Sequence, residues 1–537
     1  MFACQGRPLG RSLCKEGAGG VMAGNENHGG VLNGGISRTR FLKLVGLGPG
    51  LSLFPGSLFP SGTGLAQTVG GPTILSDARY PIAAWWPPPP VPKDPNDPNA
   101  DNLKTNALYA ELAGAGFNTV LGGNGVANDR ANRLALEACA SNELRLVLAD
   151  QALRNAIDGT AVAPAARTEG QEEPQSALQA LTEQDSPQDL QAQAAADPEA
   201  VSQRIRELYA LFGNEPALAG LLLYDEPHRS LFGILRHAKE QVEQQIGQQP
   251  GEDLPYVNVW PSHASPQNAL GAESYTDYLQ KYMDEVRYPS AVAPPVLSFD
   301  HYPLLADERT TVDFFYNHAV IRNFSRRFRV PSWGFVQSVG FDGRSVGLGV
   351  RRRPDEAEIF WQINVALAYG VKGIQYFTYW TPEDNAVKFG DALITRTGTR
   401  TALYNYATRA NDYLAAVGGQ LLPLVSEAVV HFGEQRLPRG TIAFRPDAFV
   451  RAMSGSPAIL SRFRNPTTNQ RYLLVTNRSP NAGAETRLTI SDLVQGVEEF
   501  DPVTGAYTAV PIRATQPRYL YVRVPPGRAR LYRLRTA

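Results

Sequence analysis

Cysteine is nearly absent from this chain: three in 537 residues, and two of them, Cys4 and Cys14, lie in a glycine-rich leader. Cys139 is left alone in the body of the protein. That excludes a disulfide framework and a cysteine-based zinc site, and it reads Cys139 as a buried structural thiol. Net charge is lacking too. Lys and Arg number 51 against 52 Asp and Glu, so no basic field exists to hold a nucleic-acid backbone. No Gly-x-Gly-x-x-Gly opens the first helix, which counts against a dinucleotide-binding sheet. No His-x-His stands on the first strand, so metal-dependent hydrolysis is disfavoured, and neither metal nor cofactor is expected. Long apolar runs are missing as well. The stretch from Leu44 to Phe59 is interrupted by Gly and Pro and makes a poor spanning helix.

What remains is ordinary globular text. Hydrophobic residues make up 43% and charged ones 19%, the balance of a folded protein rather than a disordered or membrane one. A chain of 537 residues asks for two domains plus tails. Residues 1–70 read as targeting sequence. Ser37-Arg38-Thr39-Arg40-Phe41-Leu42-Lys43 precedes the broken apolar stretch, and Gly64-Leu65-Ala66 supplies small residues at a cleavage point. The segment resembles a twin-arginine export signal with Thr39 in the second arginine's place, and Met22 is a second candidate start. Export to the periplasm, cell surface or medium is the expectation.

From Tyr80 to about residue 420, short apolar runs alternate with amphipathic stretches. The strands expected are Tyr80–Trp86, Asn118–Gly122, Leu144–Asp150, Gly220–Asp225, Tyr256–Trp260, Val296–Asp300, Ser332–Gln337 and Gly373–Tyr379. Helical patterns fall between them, among them Asn106–Ala115, Val201–Phe212, Asp355–Tyr369 and Thr401–Ala416. Eight alternations predict an α/β fold of the (β/α)8 barrel type over residues 71–425. An insertion at 151–200, rich in Gln, Ala and Glu, reads as a surface excursion. Over 426–537 the texture turns to short β-rich runs such as Thr441–Phe444, Ala458–Phe463, Arg471–Thr476, Thr486–Ile490, Tyr519–Val524 and Ala529–Leu534. These predict an antiparallel β-sandwich with a packing or accessory role.

Chemistry collects at the strand ends, where a parallel barrel gathers its ligand-facing side chains. The run Gly220–Tyr224 stops at Asp225 and Glu226, followed by Pro227 and His228. Glu226 is placed like a general acid whose neighbour could raise its pKa; a structural ion pair is the alternative. Five of the six tryptophans, Trp85, Trp86, Trp260, Trp333 and Trp380, lie at strand ends, although Trp333 sits early in its strand. Flat amphipathic rings suit sugars, whose C–H faces pack on aromatics; core filling is the alternative. Polar groups join them: Asn258 and His263 from the fifth strand, Asp300, His301 and Tyr302 from the sixth, Gln337 from the seventh, Tyr379 and Glu383 from the eighth. Neutral histidines bonding a neutral ligand account for His228, His263 and His301. Asp300 is the leading second carboxylate, either reacting or merely orienting Glu226 and binding hydroxyls, with Glu383 and Asp384 as further options. Glu358 is set aside, because Asp355-Glu356-Ala357-Glu358 has capping-box spacing.

At this point the text resembles a known group. Val296-Leu297-Ser298-Phe299-Asp300-His301-Tyr302-Pro303 is similar to the strand end of family 42 β-galactosidase-like glycoside hydrolases, and Gln362–Phe377 resembles their last helix and strand. The resemblance implies that Glu226 matches the acid/base Glu ending the fourth strand. Two departures stand out: Asp225 occupies the position of an Asn, and Gln337 occupies that of the nucleophilic Glu. The expectation is therefore an exported glycoside hydrolase acting on an oligo- or polysaccharide with Glu226 as acid, Asp225 tuning it and Asp300 as partner. A catalytically silent glycan-binding protein is the alternative. A carboxyl separation of about 5–5.5 Å would suit nucleophilic attack and about 6.5–9.5 Å an intervening water.

Overall fold

The computed structural model describes residues 79–90, 98–125, 127–159, 196–246, 253–286, 296–307, 309–513 and 517–536. The expected leader and most of the expected insertion lie outside them. Eight parallel strands close into a barrel. They are β1 (Ile82–Trp85), β2 (Thr119–Leu121), β3 (Arg145–Ala149), β4 (Leu218–Asp225), β5 (Leu254–Val259), β6 (Leu297–Phe299), β7 (Ser332–Gln337) and β10 (Gly373–Phe377). Between the last two, β8 (Phe341–Gly343) and β9 (Gly349–Arg351) form a small antiparallel sheet with β11 (Lys388–Phe389). Sequence order is kept around the ring, and β10 closes on β1 with Ala83 beside Gln375. The (β/α)8 expectation holds.

The surrounding helices are α1 (Pro98–Gly114), α2 (Asp129–Ser141), α3 (Gln151–Asp158), α4 (Pro198–Phe212), α5 (Phe232–Ile246), α6 (Tyr275–Glu285), α7 (Phe314–Phe328), α8 (Glu356–Ala368) and α9 (Ala402–Leu421). Their starts are written in the sequence. Asp150, Asp197, Ser274 and Thr401 each accept a hydrogen bond from the first turn they cap. Asp355 and Glu358 form the capping box at α8. Glu358 also pairs with Arg352, which keeps a buried carboxylate compensated. The expected insertion thus opens with a regular helix, α3, ended by Gly159 in the left-handed region at φ 71°. Among the described residues no helix is long and apolar enough to cross a membrane.

One irregularity decides the site. Along β4, Leu222 lies opposite Tyr256, but Tyr224 lies opposite Val257 and Asp225 opposite Asn258. One residue is extra, and this bulge flips the alternation that follows. Tyr224 therefore turns outward, its hydroxyl donating to Asp158 on α3 at 2.7 Å, while Asp225 turns toward the inward-facing Asn258. Upstream, Gly220 has φ 142°, and a Cβ there would collide with the backbone of Leu254. Only glycine lets β4 approach β5 so closely.

The C-terminal strands are β12 (Val425–Phe432), β13 (Val450–Gly455), β14 (Ala458–Arg464), β15 (Arg471–Asn477), β16 (Ala484–Ile490), β17 (Val494–Asp501), β18 (Ala506–Val510), β19 (Tyr519–Val524) and β20 (Ala529–Thr536). They form a six-stranded sheet in the order β12-β14-β15-β20-β17-β18 and a three-stranded sheet β13-β16-β19. Leu460, Leu473, Val475, Leu488, Val522 and Leu534 fill the space between them, so the β-sandwich expectation also holds. Thr441–Phe444 is not a strand. Gly440 in the left-handed region and Pro446 bound it, and it makes one bridge, Ala443 to His431.

Candidate active site

The carboxyl end of the barrel holds three acids within reach of one another. Asp225 ends β4, Glu226 follows it, and Asp300 follows β6. Glu226 has φ 52°, a left-handed conformation that costs a non-glycine residue about 1–3 kcal/mol. Its N–H donates to the Asn258 carbonyl at 2.9 Å, and its side chain comes within electrostatic reach of Asp300 and Asp225. Acids buried this close repel one another when ionised, which favours keeping a proton on the cluster.

The proton's address follows from the surroundings. Glu226 and Asp300 are each 5% exposed. Burial, then the charges of Asp300 and Asp225, hold Glu226 well above the ordinary carboxyl range. Burial and the charge of Asp225 push Asp300 up to about 7, against the opposing hydrogen bond from Asn258. Asp225 is raised to about 6 by burial, moderated by Asn258 and the Arg154 guanidinium. Burial is the largest cause for all three, and Glu226 feels the charges of both of its acidic neighbours.

Asn258 organises this cluster. Its Nδ2 donates to Asp225 Oδ1 at 3.0 Å and to Asp300 Oδ1 at 3.2 Å. Its Oδ1 accepts from Ser298 Oγ at 2.8 Å, and Ser298 is tied in turn to Tyr256 and Gln375. The asparagine expected to bind a ligand is only 2% exposed and spends its amide on the acids. Tyr302 remains half-buried at the mouth, stacked on Phe377 at 4.6 Å with Phe341 edge-on. Burial and the charges of all three acids raise its phenol's pKa. Phe341 and Phe377 were missed in the sequence, where they carry no signal beyond being apolar. Four buried polar atoms at this end lack partners among the described residues: Glu226 Oε2, the indole N–H of Trp260, Thr378 Oγ1 and the Tyr379 hydroxyl.

Several expected ligand contacts are placed otherwise. Gln337 is 0% exposed. Its Oε1 accepts from Leu304 N at 3.0 Å, and its Nε2 donates to the Arg352 and Val339 carbonyls at 2.7 and 3.3 Å. It staples the loops after β6 and β7, and its complete burial keeps it from the mouth. Trp333 is likewise enclosed, against Tyr256 inside the barrel, because it stands second in β7 and not at its end. Tyr379 packs edge-on against Phe117, 1% exposed. His228 caps the short turn after Pro227, accepting from Ser230 N at 3.2 Å. Glu383 and Asp384 are exposed partners of Arg396 on the loop after β10. Trp85, Trp86 and Trp380 do gather: the carbonyls of Trp85 and Trp86 accept from Tyr379 and Trp380 N–H groups at 3.0 Å. All three rings are nearly covered, with 5–8% exposure. Trp260 is half-buried and His263 exposed, while His301 turns away from the acids toward α7.

No known family profile matches the sequence, and no curated protein does. Among solved structures, the chain is similar to the β-galactosidase from Bacillus circulans sp. alkalophilus at 8% identity, covering 86% of this chain and 99% of that one with a TM-score of 0.49. A glycoside hydrolase family 5 protein from Bacteroides vulgatus is similar at 9% identity over 85% and 88% of the two chains, TM-score 0.45. The β-galactosidase from Marinomonas ef1 is similar at 12% identity over 64% of this chain and 62% of that chain's length, TM-score 0.40.

Proposed function

We propose that this protein hydrolyses a glycosidic bond with Glu226 as the general acid. The observation that carries the reading is the buried cluster of Asp225, Glu226 and Asp300 at the barrel mouth, where burial and the charges of its two acidic neighbours hold Glu226 well above the ordinary carboxyl range. A carboxyl that stays protonated near neutrality is what protonation of a leaving glycosidic oxygen requires. The unpartnered Glu226 Oε2 and Trp260 N–H are the kind of buried atoms a bound ligand satisfies, and half-buried Tyr302 offers a ring and a hydroxyl beside them. In the reaction Glu226 gives its proton to the leaving oxygen, and water supplies hydroxide to the anomeric carbon. The proton that water leaves returns to the carboxyl pair. Two adjacent carboxylates in a buried site repel, which favours that return. Asp225 and Asn258 set the geometry and field. Residues 1–70 are proposed to direct export, on the basic run before the apolar stretch and the small residues after it.

A second reading, a glycan-binding protein without turnover, is favoured by Gln337. The residue at the end of β7 is an amide locked into the backbone, and Asp300 is held by the Asn258 amide. Measuring sugar binding together with release of reducing ends over a glycan panel separates the two. Binding without product sinks the hydrolase.

The pH profile tests the acid. Protonated Glu226 is the active form, so activity falls as pH rises through its raised pKa. Asp300→Asn removes a negative neighbour, which lowers that pKa and moves the basic limb to lower pH. A basic limb unmoved in Asp300→Asn contradicts the assignment.

A further inference from the structure

We infer that His263, His301 and Asp313 form a binding site for a zinc-type divalent cation on the barrel rim, separate from the three acids. One donor atom from each lies within 4.8 Å of the other two. The three come from the loop after β5, the turn after β6 and the start of α7. Two imidazoles and a carboxylate are donors suited to zinc, and a three-residue set leaves the fourth position open.

Three features suggest a site prepared for such an ion. First, His301 is oriented. Asn317 Oδ1 already accepts from the Ser262 N–H, so at 3.3 Å from His301 Nδ1 it accepts a second proton there. That fixes the tautomer with Nε2 as acceptor, taking the Thr311 hydroxyl proton at 2.7 Å and lying 3.7 Å from Asp313 Oδ1, so an ion would take that proton's place as the Thr311 hydroxyl rotates away. An outer carbonyl holding the far ring nitrogen is the usual support of a ligating histidine. Second, Asp313 occupies the N-cap position of α7 yet makes no capping bond. It forgoes a contact of about 1 kcal/mol, and Ser262 Oγ holds its Oδ2 at 3.1 Å, leaving Oδ1 toward His301. Third, His263 is exposed, makes no hydrogen bond among the described residues, and stands edge-on to His301 at 5.0 Å. Donors on tetrahedral zinc sit about 3.3 Å apart, and the unconstrained His263 ring is free to close the remaining gap. Arg351, the cation whose charge reaches both imidazoles, is committed to the Tyr302 and Leu348 carbonyls at 2.9 Å each. The ion would pin the turn carrying Asp300, the residue preceding His301. The inference does not depend on the proposed hydrolysis.

Zinc itself is the probe. The full chain, stripped with a chelator, is titrated with Zn²⁺ in competition with a chromophoric chelator, and thermal unfolding is followed with and without zinc. Wild type is expected to take up one ion per chain and to unfold at higher temperature with zinc. His263→Ala and Asp313→Asn change partly exposed side chains, and each should weaken binding by more than about 100-fold and abolish the thermal shift. Ser262→Ala, which releases only the outer support of Asp313, should cost about 10–100-fold. No uptake by wild type at a large excess of zinc overturns the site. So does uptake that the His263 and Asp313 variants leave unchanged, which would place the ion elsewhere.

Discussion

Glu226→Gln is expected to lower kcat/KM on a glycoside with a poor leaving group by about 10²–10⁴, the usual worth of a positioned general acid. Glycan affinity should be largely retained, because the amide keeps the shape of the carboxyl. The loss should shrink on an aryl glycoside, whose phenolate leaves without a proton. That contrast distinguishes an acid from a residue that only shapes the pocket, for which both substrates would suffer alike. Stability supplies a second sign. Glu226 binds its proton more tightly in the folded chain than in the unfolded one, so the carboxyl subtracts stability as pH rises above the ordinary carboxylate pKa. Gln cannot ionise, so the variant should be no less stable than wild type at neutral pH and more stable at alkaline pH. Equal activity of the variant on the poor leaving group removes Glu226 from the chemistry.

The barrel was legible because a parallel sheet buried on both faces writes its strands as apolar runs. Leu218–Leu223 is such a run, and the acids that end it mark the mouth. What was not legible is direction. Strict alternation carried on from Leu222 would turn Asp225 outward, and only the pairing of β4 with β5 reveals the bulge that turns it in. Asn258 looked like a ligand contact because its strand ends at the mouth. Its engagement by Asp225 and Asp300 is a long-range fact that residue type does not encode. Gln337 was noticed as the departure from the family pattern, but the sequence could not show that its amide staples two loops. Asp313 escaped notice because an Asp at a helix start is ordinarily a cap; its turned side chain has no sequence signature. In the sandwich, β12, β13, β17 and β18 were missed: the edge strands β13 and β18 carry little apolar alternation, as in Arg451-Ala452-Met453-Ser454 and Ala506-Tyr507-Thr508, and the interior β17 is broken by Glu498-Glu499.

Trp361→Ala is expected to destabilise the fold by about 3–5 kcal/mol, the range for emptying a fully buried large aromatic site. Helix α8 explains the size. A helix on the outside of a barrel ordinarily has one wet face, but the segment from Ile359 through Ala368 is buried at every residue, because the sandwich covers the side that the barrel does not. Trp361 is the wedge between them. It is 0% exposed, its ring lies 5.0 Å from Phe314 and 6.0 Å from Phe315 on α7, and its indole N–H donates to the Arg478 carbonyl after β15 at 3.1 Å. Neighbours brace it: the Arg528 guanidinium lies over the Phe360 ring, and Asn364 donates to the Gly527 carbonyl at 3.0 Å. A Cβ on Gly527 would strike the Ala357 carbonyl, so the β19–β20 turn sits too close to α8 to collapse into a cavity. Little relaxation means the upper part of the range. Trp361→Phe, which keeps most of the ring but orphans the Arg478 carbonyl, should cost less, with about 1–3 kcal/mol of it from the lost hydrogen bond. Urea unfolding of both variants measures this. If the wedge couples the two domains, probes in barrel and sandwich lose stability together in Trp361→Ala. A sandwich that unfolds at its wild-type midpoint while the barrel alone weakens would show that α8 belongs energetically to the barrel.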